Sequence, residues 1–440
     1  MKHNLKAITV FFMVLGILST QKLPAQDSAR IITLKEAIDL SVTSSHLLKN
    51  NAAKIKEATA AIAEATDRRL PDVTASASYL YLPIKPKINL KSDTSGRRGG
   101  PNVNQAMYGI LNASLPLFAG GKIKYGIESA KYLQEATLLD AADNKQAVII
   151  NTINAFSNLY KAKAAVALVK ENLDQSKQRV KDFSNLEKNG LIARNDLLKV
   201  SLQQSNIELT LLDAESNYKI ASVNMALMLG LPEQTTLVAD SASLQQSFQP
   251  KTIEEYEQLA LQARNDVSAL SLRKKAFEVG VKVAKADVYP EIALTAGYIA
   301  ADIPNFVTIT NAVNVGVGVR YSLSSLWKTK AKVDQAQARV DQLTANQNMQ
   351  TDNIRLQINQ AYQTYILSRK KIEVFQIAVD QAKENYRITK NKYDNALATT
   401  TDLLDADVAQ LQTKLNVTNA AADAVVAYNK LLQTAGLLNN

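Results

Sequence analysis

A pattern that repeats without a gap over more than a hundred positions limits a chain to architectures built from copies of one unit. Residues 188–199 read KNGLIARNDLLK and residues 394–405 read DNALATTTDLLD, with a small residue, a leucine, an aspartate and two more leucines in register 206 positions apart. At the same offset Ala155-Phe156 falls on Ala361-Tyr362, Leu159 on Tyr365, and Gly230-Leu231 on Gly436-Leu437, so that 107–231 maps onto 313–437. Upstream the offset is 219. There Thr33-Leu34-Lys35-Glu36 falls on Thr252-Ile253-Glu254-Glu255, and Leu70-Pro71-Asp72-Val73 on Tyr289-Pro290-Glu291-Ile292. The difference between the offsets is absorbed by a longer loop within 83–104. The predicted organisation is a first unit at 26–231, a Gln/Ser-rich linker at 232–251 and a second unit at 252–440.

Within each unit the apolar period changes in a fixed order. A capping box, Thr33 with Glu36 or Thr252 with Glu255, predicts a helix start, and the helix must stop at Pro71 or Pro290. Then the period becomes two. Val313, Val315, Val317, Val319, Tyr321 and Leu323 alternate with Asn314, Gly316, Gly318, Arg320 and Ser322, giving one apolar and one polar face. Val73, Ala75, Ala77, Tyr79 and Tyr81 alternate with polar neighbours in the same way. The spacing predicts four strands, at 72–82, 107–118, 290–301 and 312–324. Strands near ten residues long with aromatics toward their ends fit an outer-membrane barrel and equally a half-buried soluble sheet.

The helices that follow are more restrictive. Between Gly121 and Asn189, and again between Lys328 and Asp394, there is no proline, and the only glycine in either interior is Gly126. Uninterrupted helices of that length would be about 100 Å long at 1.5 Å per residue. A four-three spacing runs through Ala155, Leu159, Ala162, Val166, Val169, Leu173, Ser176, Val180 and Phe183, and its copy through Ala361, Tyr365, Ser368, Ile372, Phe375, Val379, Ala382, Tyr386 and Thr389. Such a seam buries one stripe against a neighbouring helix, and the Ala, Ser, Gln and Asn elsewhere suit a helix in the wall of a tube. Asn189-Gly190 and Asn395-Ala396 turn the chain back, which predicts helical hairpins over 121–230 and 328–438. The repeated phrase is then a hairpin tip.

Composition removes most alternatives. The chain has 440 residues, no cysteine and two histidines, His3 and His46, which excludes disulfides and thiolate sites and leaves no basis for a His-rich metal centre. Lys2 and Lys6 precede a mainly apolar run, Ala7 to Leu18, in the layout of a secretory signal peptide over 1–25 with cleavage after Ala25. That run is too short to span a bilayer, so an exported mature chain enters a membrane, if at all, as strands. The formal charge of +10 falls to +7 without Lys2, Lys6 and Lys22, and the remaining basic residues are interspersed with acidic ones. This is solvated helix surface and not a nucleic-acid footprint. Lys85, Lys87, Lys91, Arg97 and Arg98 face only Asp93 in a long loop with a basic tip, for which, if the strands enter an outer membrane, anionic outer-membrane lipids would be the nearest counter-charges. Neither Gly96 to Gly100 nor Gly120-Gly121 has phosphate-loop spacing, and no catalytic, cofactor or metal cluster is visible.

With these residues in place the chain resembles the TolC family of outer-membrane efflux ducts, over essentially all of its mature length. The resemblance is carried by the duplicated helix-strand-strand-helix-helix unit, by Leu115-Pro116-Leu117-Phe118-Ala119-Gly120-Gly121 ahead of the long helix, and by Gly190-Leu191 with Asp196-Leu197-Leu198 at the tip. It implies a mainly α protein with a membrane β-barrel: a homotrimer whose four strands per chain close a twelve-stranded barrel and whose helices form a periplasmic tunnel. It implies a channel and not an enzyme, conducting solutes from an inner-membrane transporter and a periplasmic adaptor that dock at the tips. Gly190, Leu191, Ala193, Ala396, Leu397 and Thr399 are the tip residues. In relatives, acidic residues beside the tip narrow the entrance; Asp196, Asp402 and Asp405 occupy those positions, with Lys199 at the repeat position of Asp405. The same aspartates suit the first turn of a helix, where anions are favourable. The family's tip glycine is Ala396 in the second copy, and the arginine common two residues later is Ala398. A non-membrane periplasmic helical scaffold is the other class the heptads allow.

Overall fold

A computed structural model describes residues 30–84, 103–244 and 249–438. The signal segment and Lys85, Lys87, Lys91, Arg97 and Arg98 of the basic loop lie outside them. The first unit contains β1 (Arg30–Ile32), α1 (Leu34–Ser44), α2 (His46–Asp67), β2 (Asp72–Tyr81), β3 (Gln105–Phe118), α3 (Lys122–Lys188) and α4 (Arg194–Leu229). After β4 (Leu237–Ala239) the second repeats the order: α5 (Ile253–Ala263), α6 (Asn265–Lys285), β5 (Glu291–Ile303), β6 (Val307–Arg320), α7 (Ser325–Asp394) and α8 (Thr400–Thr434).

The four long strands form one antiparallel sheet in the order β2-β3-β5-β6, and its two edges, β2 and β6, carry no partner among the described residues. Side chains alternate across it. Val73, Tyr79, Tyr81, Met107, Leu111, Leu294, Tyr298, Val313, Val315, Val317 and Val319 share one exposed face, and Thr74, Ser76, Ser78, Asn112, Ser114, Thr295 and Asn314 share the other. Such a surface needs an apolar solvent on one side and water on the other. Pairing repeats as well. Asp72 faces Ser114 and Tyr79 faces Met107 in β2–β3, while Glu291 faces Arg320 and Tyr298 faces Val313 in β5–β6, which are the same pairs displaced by 219 and 206.

Three features depart from the sequence reading. The helix expected to run from each capping box to the proline is broken, at Ser45 and at Arg264. Ser45 leaves the helical region (ψ 119) and its hydroxyl accepts from the N–H of Leu48, starting a new helix. Arg264 does so at ψ 127, its guanidinium held by Asp266 and by the Thr434 carbonyl. Second, β6 occupies 307–320 and not 312–324. An extra residue at Asn311 (φ 57), where the β5–β6 register shifts, masks the alternation on its N-terminal side, and Tyr321 and Leu323 lie past its end. The other strands shift by one to two residues at their ends, and α7 begins at Ser325. Third, the 232–251 stretch is more than a linker. Its β4 pairs in parallel with β1, and Leu237 is fully buried.

The core lies midway along the long helices. Phe156 and Leu159 of α3 pack with Met225 and Leu229 of α4, Ile32 of β1 and Leu237 of β4. The second copy assembles Tyr256, Ile354, Ile358, Tyr365 and Leu431 in the corresponding place. Where sheet meets helices, the Lys122 ammonium bridges Asp287 (2.8 Å) and Glu291 (3.0 Å), and Lys332 closes on Asp287 (2.7 Å). The two lysines hold the Asp287 carboxyl below its usual range.

Candidate functional site: hairpin tips and tunnel wall

Both hairpins end in the same hydrogen-bonded turn. The Gly190 N–H donates to the Glu187 carbonyl and the Leu191 N–H to the Leu186 carbonyl; Ala396 donates to Tyr393 and Leu397 to Lys392, all at 2.8–2.9 Å. This closure needs a left-handed residue. Gly190 adopts φ +69 and Ala396 adopts φ +57. Leu191 and Leu397 project beyond the turns at 69% and 77% exposure. Ala193 and Thr399 are exposed N-cap residues of the returning helices.

The acidic residues beside the tips differ in partners. Asp402 completes a capping box: its carboxylate accepts from the Thr399 N–H (2.8 Å) and hydroxyl (2.7 Å), and its own N–H donates to the Thr399 hydroxyl oxygen (3.1 Å). The Thr399 hydroxyl and N–H hold the Asp402 carboxyl below its usual range. Asp196 lies 3.6 Å from the Lys199 ammonium on the same helix. Lys199 therefore serves its own hairpin. Asp405, one turn beyond Asp402, is exposed, and no hydrogen bond or ion pair joins it among the described residues.

Just above the tips the two hairpins are tied by side chains that the repeat did not reveal. Phe183 of α3 stacks on Tyr393 of α7, with ring centroids 5.5 Å apart and planes at 8°. Burial pushes the Tyr393 hydroxyl up, against a hydrogen bond with Thr400. About a turn further along α3, the Arg179 guanidinium donates to the Asp407 carboxylate of α8 (2.9 Å) and to the Tyr386 hydroxyl of α7 (3.1 Å). Arg179 and Asp407 are 9% and 2% exposed. Asn172 adds a longer contact to the same carboxylate oxygen (3.4 Å), while the other oxygen, Oδ1, is buried without a partner. The available signal was a departure from the repeat: the mates of Arg179 and Asp407 are Asn385 and Ser201, so the charges occur in one copy only.

The helix packing above the tips is complete on one side only. In α3, which packs against both α4 and α8, Val169, Leu173 and Phe183 of the heptad seam are buried. Their mates in α7, Phe375, Val379 and Thr389, remain half-buried. Leu198, Leu202, Leu209, Leu212, Ile220 and Leu227 of α4 are exposed, as are Leu356, Leu367, Val374, Ile377 and Ile388 of α7. No helix of the described residues is long and apolar enough to cross a membrane.

The sequence and the fold are similar to those of known proteins. The chain is 22% identical over 330 residues to the outer membrane efflux protein BepC of Brucella suis biovar 1 (strain 1330), covering 73% of this chain and 70% of that protein. It is 24% identical over 378 residues to nodulation protein T of Rhizobium leguminosarum bv. trifolii, covering 84% and 77%. The fold matches the crystal structure of the outer membrane protein VceC from Vibrio cholerae with a TM-score of 0.74 at 19% identity, over 92% of this chain and 96% of that one. The sequence model of one family, described as Outer membrane efflux protein, matches residues 37–231 and 257–437, one segment in each copy of the repeat. The chain belongs to the outer membrane efflux protein family.

Proposed function

We propose that three copies of this chain form a continuous duct: a twelve-stranded barrel in the outer membrane, extended into the periplasm by a ring of twelve helices. The observation that carries it is the open four-stranded sheet, apolar on one face and polar on the other, continuous with hairpins about 100 Å long. Four strands cannot close a barrel, and the smallest membrane barrels have eight. Twelve helices spaced about 9 Å apart give a ring about 34 Å across between axes, wide enough for a water-filled bore. Conduction is passive in this reading. An inner-membrane transporter supplies the driving force and a periplasmic adaptor couples it to the tips, with Asp402 and Asp405, helped by Asp196, narrowing the entrance. A periplasmic scaffold gives no account of the exposed apolar sheet face.

The tips test the coupling. Replacing Leu191 and Leu397 by Glu places charge where the hairpins present apolar surface to the adaptor. Efflux should be lost while a heat-dissociable oligomer remains in outer-membrane extracts. Efflux at the parental rate would remove the tips from the docking surface, and absence of any such oligomer from the outer membrane would remove the duct itself.

A further inference from the structure

We infer that the exposed apolar stripes of α4 and α7 are two halves of one seam, and that the internal repeat sets the register in which successive copies of this chain join along helices and strands. The inference rests on the multichain duct proposed above and specifies which residues meet in it. Inside one chain, α3 of the first copy lies antiparallel to α8 of the second. Three ion pairs fix their register: Lys161 with Asp423 (2.8 Å), Glu171 with Lys414 (3.8 Å) and Arg179 with Asp407 (2.9 Å). The repeat-mates of α3 and α8 are α7 and α4. Within a chain these two helices lie on opposite flanks, but α7 of one molecule and α4 of the next can make the same contact. Moved by 206 positions, forward on α3 and backward on α8, the ion pairs become positions 367 with 217, 377 with 208 and 385 with 201.

The exposed apolar residues fall along that line. Ile388 is brought to Leu198, Ile377 to Leu209 and Val374 to Leu212. Farther from the tip, Ile366 is brought to Ile220 and Leu356 to Leu227. Five of the six large exposed apolar residues of α4 thus land within two positions of an exposed apolar residue of α7. The sixth, Leu202, meets Glu384. Its repeat-mate Val408 on α8 is also exposed, so this position belongs to a face that neither seam covers. The two seams differ in chemistry. Lys161, Glu171 and Arg179 of the internal seam are replaced by Leu367, Ile377 and Asn385, and their partners Asp423, Lys414 and Asp407 by Asn217, Glu208 and Ser201, so none of the three ion pairs recurs at the joint between molecules.

The sheet obeys the same operation independently. In the chain, β3 pairs with β5, Ser114 opposite Thr295 and Leu111 opposite Tyr298. Moving β3 forward by 206 and β5 back by 219 places Arg320 of β6 opposite Ser76 of the next molecule's β2, and Val317 opposite Tyr79. Both unpaired edges are used, and the faces agree: Val317 joins Tyr79 on the apolar side and Arg320 joins Ser76 on the polar side. A register shifted by one residue would put the apolar face of one chain beside the polar face of the next.

The chain has no cysteine, so paired cysteines read the register directly. Leu209→Cys with Ile377→Cys, and separately Tyr79→Cys with Val317→Cys, should be oxidised in outer-membrane vesicles to covalent dimers and trimers on denaturing, non-reducing gels. Leu209→Cys with Ile388→Cys and Tyr79→Cys with Val313→Cys displace one partner by three helical turns and by four strand residues; both should stay monomeric. Native mass measurement of the reduced proteins reports assembly separately. A reduced protein that assembles but links only through the displaced pairs, or through neither, overturns the register and leaves the duct standing. Parental protein that is monomeric in the membrane overturns the duct, and the register with it.

Discussion

Ala396 and Gly190 occupy the same place in the two tips with different side chains, and the difference has a sign. An L-residue held in the left-handed region costs about 1–2 kcal/mol, and the chain bears that cost at Ala396 (φ +57) but not at Gly190 (φ +69). Part of the gain from Ala396→Gly is offset by the added freedom of the unfolded chain, about 0.4–1 kcal/mol. The net stabilisation of the second tip is expected to be about 0.5–1 kcal/mol, read as amide exchange at Asn395 and Leu397 slowed roughly two- to fivefold. Gly190→Ala should do the reverse in the first tip, for a conformational reason alone, because an added Cβ there meets no atom within 4 Å. Faster exchange in Ala396→Gly would mean that the alanine is held by contacts and not merely tolerated. Beside this turn the Asp402 cap carries a pH dependence of definite direction. The Thr399 hydroxyl and N–H hold its carboxyl below the usual range in the folded chain. The cap's contribution is therefore present above the ordinary carboxylate range and lost as pH falls through the lowered value.

At the scale of elements, the copies differ in how their returning helices begin. The α8 helix starts with the reciprocal Thr399–Asp402 box, while α4 starts at Ala193, which has no side-chain cap, although Asp196 stands at the position that Asp402 fills. Ala193→Thr should rebuild the box and stabilise the first turn of α4 by about 0.5–2 kcal/mol, seen as slowed exchange of the Asn195 and Asp196 amides. No change would show that Asp196 is kept from the box by Lys199. Tips of this kind were legible in the sequence because turn chemistry acts over a few residues and the repeat states it twice. The sheet's faces were legible because alternation over ten residues admits one reading. The break at Ser45 was not, since Thr43 and Ser44 donate to the carbonyls of Asp39 and Leu40 as helical residues do. Its counterpart at Arg264 depends on Thr434, which lies 170 positions away. The β1–β4 pair is three residues per strand, too short for periodicity to register. Of the candidate site, the tip and its aspartates could be named from the repeated phrase. The Arg179–Asp407 tie could not, because it joins residues 228 positions apart and has no echo in the other copy.

At the scale of the whole molecule, the two acidic residues of the second tip should behave as a ring, and the structure changes how that is best tested. Asp402 already serves a structural role through Thr399, whereas Asp405 is exposed and unpaired among the described residues. Replacement by alanine would remove charge and cap together. Asp402→Asn with Asp405→Asn removes two carboxylates per chain, six in the proposed trimer, while an amide oxygen remains to accept from the Thr399 N–H. Carboxylates gathered at a narrow axis raise the local cation concentration, and a constriction dominates the field that a permeating ion meets. In planar-bilayer recordings the parent should therefore favour cations and be blocked by multivalent cations, and the double variant should lose most of both properties. Asp405→Asn alone should remove part of the selectivity without altering amide exchange at the α8 start, because its side chain holds nothing there. An oligomer of parental size whose selectivity and block match the parent would place the conducting constriction elsewhere along the tunnel and leave Asp402 as a helix cap. Loss of the oligomer in the double variant, with the single variant intact, would locate the importance of Asp402 in folding, and Asp405→Asn would then carry the test of the ring.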